Sequence, residues 1–416
     1  MIAEKVSKSQ QLIAKEDQYG AHNYHPLPVV LEKGEGVHVW DVEGKKYYDF
    51  LSAYSSVNQG HCHPKILKSL QMQAQKLTLT SRAFHNNVLG EFEELLHQIF
   101  GYDKALPMNS GVEAVETAMK LCRKWAYQVK GVPAGSAKIL FATNNFHGRT
   151  ISVISASNDP LSRKGFGPFL EGIEAVPYND LAALEQKLTQ EPNIAGFIVE
   201  PIQGEAGVVV PDADYLPGVA KLCKKHNVLF VADEIQTGLG RTGQLLATYM
   251  EGGDTKLRPD IIILGKALSG GFLPVSAVLA DDEIMLTIKP GEHGSTYGGN
   301  PLACAVAMEA LKVLIDEKMA ENAQKMGQLF RDGLREIAKE NSIIKIVRGK
   351  GLLNAIVIEG DENSSKAWDI CVNMKENGLL AKPTQGNKIR FAPPLVINES
   401  QIKEALTIIA QSLEGF

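Results

Sequence analysis

The segment DIIILGKALSGG, Asp260–Gly271, sets the reading of the chain. Ile261–Leu264 is an unbroken run of branched apolar residues, too short for a helix and apolar on both of its faces. Such a run suits a strand of a parallel sheet that is covered on both sides. The segment VLFVAD, Val228–Asp233, repeats the pattern upstream and runs into the turn Glu234-Ile235-Gln236-Thr237-Gly238. Further out, Lys104–Met108, Ala137–Phe141 and Gly196–Glu200 read as strands of the same kind. Amphipathic stretches at Val112–Gln128, Leu181–Gln190 and Leu216–Lys225 separate them. Strands alternating with helices predict an α/β fold, a mainly parallel sheet with helices on both faces.

The two ends of the chain read differently. The N-terminal part reads as a helix followed by an extended pair, Val37–Trp40 and Lys46–Phe50, around the Glu43-Gly44 turn. Beyond Gly299 come one long helical pattern (Pro301–Ile337), short strands at Ile344–Arg348, Leu353–Ile358 and Ile389–Phe391, and a closing helix at Glu399–Leu413. This predicts a large domain over residues 51–315 and a smaller α+β domain over 316–416, with residues 1–50 contributing to the smaller one.

The 416 residues suffice for both, and 44% apolar with 22% charged residues is ordinary for a globular chain. A net charge of −5 provides no basic field for nucleic acid or an acidic membrane surface. The apolar runs are far too short to span a bilayer. Cys62, Cys122, Cys223, Cys304 and Cys371 are scattered without a CxxC pair, which predicts reduced thiols and neither a disulfide framework nor a zinc site. Met1–Lys5 carries no apolar or arginine-rich leader, so the expected location is the cytoplasm, a processed mitochondrial form being the alternative.

Ligands of open α/β sheets bind beyond the carboxyl ends of the strands, and four strand ends carry suggestive chemistry. After Lys104–Met108, Ser110-Gly111-Val112 opens a helix whose free N–H groups and hydroxyl form a phosphate cup. After Ala137–Phe141 comes Asn145-Phe146-His147-Gly148-Arg149, an aromatic able to stack on a flat ring beside an arginine able to pair with a carboxylate. Asp233 ends an apolar strand, where a carboxylate is costly unless paired with Mg²⁺ or a protonated ring nitrogen. No Walker-type loop supports the metal reading. Lys266 follows an all-apolar strand, where burial depresses an amine's pKa and makes it a Schiff-base nucleophile. Taken singly, each has a bland reading as a βα turn, a packed aromatic or a solvated lysine. Together they supply what pyridoxal 5'-phosphate requires: a lysine, an acid for the ring nitrogen, an aromatic cover and a phosphate cup.

Asn109–Glu113, Asn145–Arg149, Val199–Gly207 (VEPIQGEAG), Ala232–Gly243 (ADEIQTGLGRTG), Leu264–Gly271 and Gly294–Pro301 (GSTYGGNP) resemble the class III (subgroup II) aminotransferases over essentially the whole chain from Tyr19. The resemblance implies fold type I, with a mixed, mostly parallel seven-stranded sheet in the large domain and a smaller domain built from both chain ends. It implies that Lys266 bonds the cofactor, Asp233 pairs with the pyridinium nitrogen, Phe146 stacks on the ring and Gln236 lies beside the phenolic oxygen. Ser110, Gly111 and Val112 hold the phosphate. Thr296, with Ser295 beside it, reaches the phosphate of the neighbouring subunit, so the implied assembly is a homodimer or a higher oligomer.

Tyr19–Pro28, Val57–Pro64, Glu292–Pro301, Arg348–Val357 and Arg390–Val396 are similar to the members that move the terminal amine of ornithine to 2-oxoglutarate. That finer likeness makes Arg149, with Tyr24, the clamp for ornithine's α-carboxylate, Tyr54 a wall of the pocket and Arg390 the clamp for 2-oxoglutarate. Glu205 then neutralises Arg390 while ornithine is bound. The alternative is another ω-amine, such as acetylornithine or 4-aminobutyrate. Gly252–Lys256 and Gly360–Lys366 read as surface insertions. His61 and His63 read as a structural loop without a completing carboxylate, Glu200 as a support for active-site loops, and the charge-rich run Glu317–Lys339 as solvated faces.

Overall fold

A computed structural model describes residues 6–249, 257–361 and 363–416. The Gly252–Lys256 insertion and Met1–Lys5 lie outside the described residues. After an N-terminal helix (Lys8–Tyr19), strands β1 (Leu31–Glu35), β2 (His38–Asp41) and β3 (Lys46–Asp49) form an antiparallel ribbon. The central sheet is made from β4 (Lys104–Met108), β5 (Lys138–Ala142), β6 (Ile173–Val176), β7 (Ile194–Val199), β8 (Leu229–Asp233), β9 (Ile261–Leu264) and β10 (Ser276–Ala280). Its order is β4-β10-β9-β8-β7-β5-β6. Only β10 runs against its neighbours, so the other six strands present their carboxyl ends at one edge. The sequence reading anticipated five of these seven strands. It missed β6 and β10, whose Ile-Glu-Ala-Val and Ser-Ala-Val-Leu-Ala lack the branched apolar run that marks β9.

The β9 run is apolar on both sides because it is buried on both. Ile261 and Ile263 face one core with the helix Gly111–Trp125, while Ile262 and Leu264 face another with the helix Pro301–Asp316. All four are at most 1% exposed, and each such side chain contributes about 1.5–3 kcal/mol relative to leaving it in water. A third cluster packs Leu140, Phe197 and Phe230 against the helices Leu181–Gln190 and Tyr215–Lys225.

The expected single helix over Pro301–Ile337 is two helices, Pro301–Asp316 and Met319–Glu340, because Lys318 takes φ +51° between them. Neither glycine nor proline marks that break. The charge-rich run is not wholly solvated either: Arg331 is buried, donating to the Gly351 carbonyl and Asn354 Oδ1. Toward the C-terminus lie β11 (Ile344–Lys350), β12 (Leu353–Ile358), β13 (Leu379–Leu380), β14 (Lys382–Thr384) and β15 (Lys388–Phe391), then the closing helix Glu399–Ser412. Strand β13 pairs in parallel with β3, joining the two ends of the chain in one sheet. Strand β15, flanked by β12 and β14, carries Arg390. Among the described residues no helix is long and apolar enough to cross a membrane.

One backbone feature has no sequence signal. Ser52, Ala53, Tyr54 and Ser55 all have positive φ (49°, 46°, 59° and 70°), a left-handed turn made without glycine. L-residues pay roughly 1–2 kcal/mol each for this conformation, and strain of this kind concentrates at functional sites.

Candidate active site

The carboxyl edge of the sheet places residues that follow β5, β7 and β9 around one cleft of about 700 Å³. Tyr24, Tyr54, Phe146, Arg149, Glu205 and Lys266 line it. Lys266 has φ +45°, set by an extended Gly265 that turns sharply out of β9. Burial holds its ammonium below the ordinary lysine value, and the Glu205 and Asp233 carboxylates offset this only in part. The amine therefore reaches its neutral, nucleophilic form at lower pH than a solvated lysine.

Asp233 closes β8, is 4% exposed, and accepts at Oδ2 from His147 Nδ1 (2.6 Å) and at Oδ1 from the Ile235 N–H (3.1 Å). Burial works against a charge on His147, but the bond and charge of Asp233, with Glu200 nearby, outweigh it and raise the imidazole's pKa. Glu200 supports its loop as expected: Oε1 accepts the Phe146 N–H at 2.9 Å. Burial pushes its carboxyl up to about 8.

Gly111–Trp125 starts with a capping box. The Glu113 carboxylate accepts the Ser110 and Asn109 N–H groups, and the Ser110 hydroxyl accepts from Glu113 N–H. The cup is therefore narrower than the sequence suggested. The Ser110 N–H is spent, leaving the N–H groups of Gly111 and Val112 and the Ser110 hydroxyl proton for an anion at the helix N-terminus. Gly148, at φ +127°, packs so closely on Val112 that a Cβ there would stand 2.7 Å from Val112 Cγ2.

Glu205 and Arg390, expected to act as a gate, are in contact. Arg390, 1% exposed, donates from Nη1 to Glu205 Oε1 (2.5 Å) and to Gln236 Oε1 (3.2 Å), and Gln236 Nε2 donates to Glu205 Oε1 (3.1 Å). Burial alone would raise the Glu205 pKa; Arg390 and Gln236 outweigh it and lower it. Gln236, expected beside the cofactor's oxygen, is thus bonded to both members of the pair. The left-handed turn lays the Tyr54 ring 4.9 Å from the Arg390 guanidinium. Arg149 sits at the mouth with its side chain 64% exposed, its guanidinium 5.3 Å from the Phe146 ring and 4.0 Å from Asp159. Tyr24 is also at the mouth, 73% exposed.

Ser295 is engaged within its own chain, accepting from Asn109 Nδ2 (2.7 Å) and Gly298 N–H (3.1 Å), while Thr296 beside it is exposed. His61 and His63 do have carboxylates, contrary to the expectation. Asp49 Oδ2 lies 2.7 Å from His61 Nε2 and Glu317 Oε2 lies 3.3 Å from His63 Nε2. The two acids are separate, and among the described residues no group of three metal ligands forms. The sequence assigns no role to His147 or to Gly204, where a Cβ would fall 1.7 Å from Gln236 Oε1. A histidine beside the stacking aromatic is a weak signal for the first, and nothing local marks the second.

These groups fit pyridoxal phosphate: an amine whose pKa burial lowers, a buried acid held by a donor, a flat aromatic in the cleft wall and two unspent helix N–H groups. Residues 19–413 match the family described as aminotransferase class-III. The mitochondrial ornithine aminotransferase of Drosophila melanogaster is 62% identical over 407 residues, 98% of this chain and 92% of the relative. The ornithine aminotransferase of Toxoplasma gondii, whose structure is described with partial occupancy of PLP at its active site, superposes with a TM-score of 0.94 at 49% identity. The match covers 98% of this chain and 95% of that one. A structure described as acetylornithine aminotransferase, from Elizabethkingia anophelis, superposes with a TM-score of 0.89 at 57% identity, covering 99% of this chain and 100% of that one.

Proposed function

Because the chain belongs to the class III aminotransferases, which are pyridoxal-phosphate enzymes, we propose that it transfers the δ-amino group of L-ornithine to 2-oxoglutarate. The products are glutamate 5-semialdehyde, which cyclises to pyrroline-5-carboxylate, and glutamate. The observation that carries this reading is the contact of Glu205 and Gln236 with Arg390, in a chain 62% identical to an ornithine aminotransferase.

The cofactor, when bound, would supply an electron sink and a carrier for the amino group. Lys266 Nζ would anchor it and would serve as the general acid–base that moves a proton at the substrate's reacting carbon. Asp233 would hold the proton on the ring nitrogen, Phe146 would cover the ring, and Ser110, Gly111 and Val112 would bind the phosphate. Arg149, with Tyr24 beside it, takes ornithine's α-carboxylate at the mouth, which points the δ-amine inward. Arg390 would compete for that carboxylate and present the wrong amine, and Glu205 blocks it. When 2-oxoglutarate enters, Glu205 is the partner that yields: its side chain is 24% exposed toward the cleft, whereas that of Arg390 is 2% exposed and fixed by packing.

We take the working unit to be a homodimer in which Thr296, with Ser295 beside it, reaches the partner's phosphate; the exposure of Thr296 supports this. The pairing of β3 with β13 supports grouping residues 1–50 with 316–416 as the smaller domain, beside 51–315. Four of the five cysteines are buried and all are free, in keeping with a reducing compartment such as the cytoplasm.

The likeness to the Elizabethkingia protein favours a second reading, transfer from acetylornithine. Spectral titration separates them. The yellow absorption of the cofactor-loaded protein should vanish with ornithine and return with 2-oxoglutarate, and ortho-aminobenzaldehyde should detect the cyclised product. Turnover of acetylornithine without ornithine turnover would overturn the first reading.

A further inference from the structure

Strand β14 places a second cation beside Arg390. Lys382 is the direct partner of Arg390 in the β14–β15 ladder, so the two side chains leave the same face of the sheet. Residues opposed in this way have Cβ atoms about 4.5–5.5 Å apart, and like charges so placed repel. Thr384, two residues on and therefore on that face too, donates from Oγ1 to the Glu205 carbonyl at 2.8 Å. The strand that carries Lys382 is thus fastened to the backbone of Glu205. Glu205 itself is bonded to Arg390. Among the described residues the Lys382 ammonium has no hydrogen bond or ion pair, and it lies 6.0 Å from the centre of the Tyr24 ring in the cleft wall. The residue is half-buried, which holds its ammonium below the ordinary lysine value; Glu205 opposes this and Arg390 adds to it. Two cations therefore flank one carboxylate, and only one of them is paired.

We propose that Lys382 is a positioning residue that takes the Glu205 carboxylate when 2-oxoglutarate displaces it from Arg390. The exchange keeps every charge paired: Arg390 passes from Glu205 to the carboxylate of the ligand, and Glu205 passes to Lys382. A compact ammonium on a flexible stem suits a partner that is engaged only in one state. The inference rests on the reading above that Glu205 is the member of the pair that yields.

The test is a double-mutant cycle read by calorimetry on the binding of 2-oxoglutarate to the protein loaded with pyridoxal phosphate. That form carries no amine to transfer, so affinity is read without turnover. Lys382→Met, which keeps the stem, should weaken binding about fivefold in the parent and less than about twofold in Glu205→Ala. Lys382→Gln serves where the methionine protein does not fold. Lys382→Arg should recover most of the loss. Equal losses in both backgrounds would mean that Lys382 meets the ligand directly or only shapes the strand, and overturn the proposal. Parent-like binding by Lys382→Met, or no recovery by arginine, overturns it as well. Glu205→Ala alone should bind 2-oxoglutarate more tightly than the parent; if it does not, the yielding of Glu205 fails, and the proposal with it.

Discussion

Arg390 Nη1 stands 2.5 Å from Glu205 Oε1, and Gln236 bonds to both partners, so the most buried cation of the cleft is already neutralised. The strands and turns that carry these residues are distant in the chain. The contact therefore forms only because β14 and β15 hang over the ends of β7 and β8, Thr384 of β14 donating to the Glu205 carbonyl at 2.8 Å.

Glu205→Ala frees Arg390 for an α-carboxylate. A hydrogen bond to a charged group is worth about 1.5–3 kcal/mol, so α-amino transfer from glutamate should rise relative to ornithine turnover by about 10–100-fold. Paired kcat/KM measurements check this, and an unchanged ratio would remove the gate.

Gly204→Ala tests the same gate from its backbone. The added Cβ would overlap Gln236 Oε1 at 1.7 Å, so the amide must leave its place between Glu205 and Arg390. The ratio should move in the same direction as in Glu205→Ala, by about several-fold, since the direct ion pair survives. A kinetic profile like the parent's would mean that Gln236 is not part of the device.

Ala53→Gly addresses the left-handed turn. Glycine removes roughly 1–2 kcal/mol of local strain and loses about 0.5–1 kcal/mol through its freer unfolded chain. A net gain of up to ~1 kcal/mol is expected, read in denaturant melts of the apoprotein. Ala53→Val should lose stability instead, and equal stabilities for all three would contradict a strained turn.

Glu200→Gln separates the role of Glu200 as an acceptor from its charge. Burial raises its folded pKa from 4.5 to about 8, so the folded state binds a proton that the unfolded state releases. Its contribution to stability is complete below pH 4.5 and is lost as pH rises toward 8. Glutamine keeps an oxygen for the Phe146 N–H without this loss. The variant should therefore gain on the parent between pH 4.5 and 8, by at most about 5 kcal/mol, and then hold level. Melts at pH 5, 7 and 9 measure the trend; a constant difference would mean that Glu200 is not held neutral.

Much of the site was legible in the sequence, because its chemistry sits at strand ends. Ile261–Leu264 announces a doubly covered strand through four side chains, and Lys266, Asp233, Phe146 and Ser110 each follow such a run within a few residues. The strands β6 and β10 were not legible, their short runs being diluted by Glu174 and by small residues. Nor was the break at Lys318 or the left-handed turn at Ser52–Ser55, which occur where no glycine or proline announces them.

Short-range apolar patterning thus determined the α/β class, the sheet edge that carries the site and the groups Lys266, Asp233, Phe146 and Ser110 on it, since burial on two faces is written into a few neighbouring residues; Glu205, Gln236 and Arg390 came from the family resemblance. Only the tertiary structure decided the pairings that make those side chains work. His147 meets Asp233 across 86 positions and Arg390 meets Glu205 across 185. Gln236 is drawn into the gate, and the Ser110 N–H is spent on Glu113. Such pairings depend on strand order and on distances of a few ångströms, which a local sequence pattern does not encode.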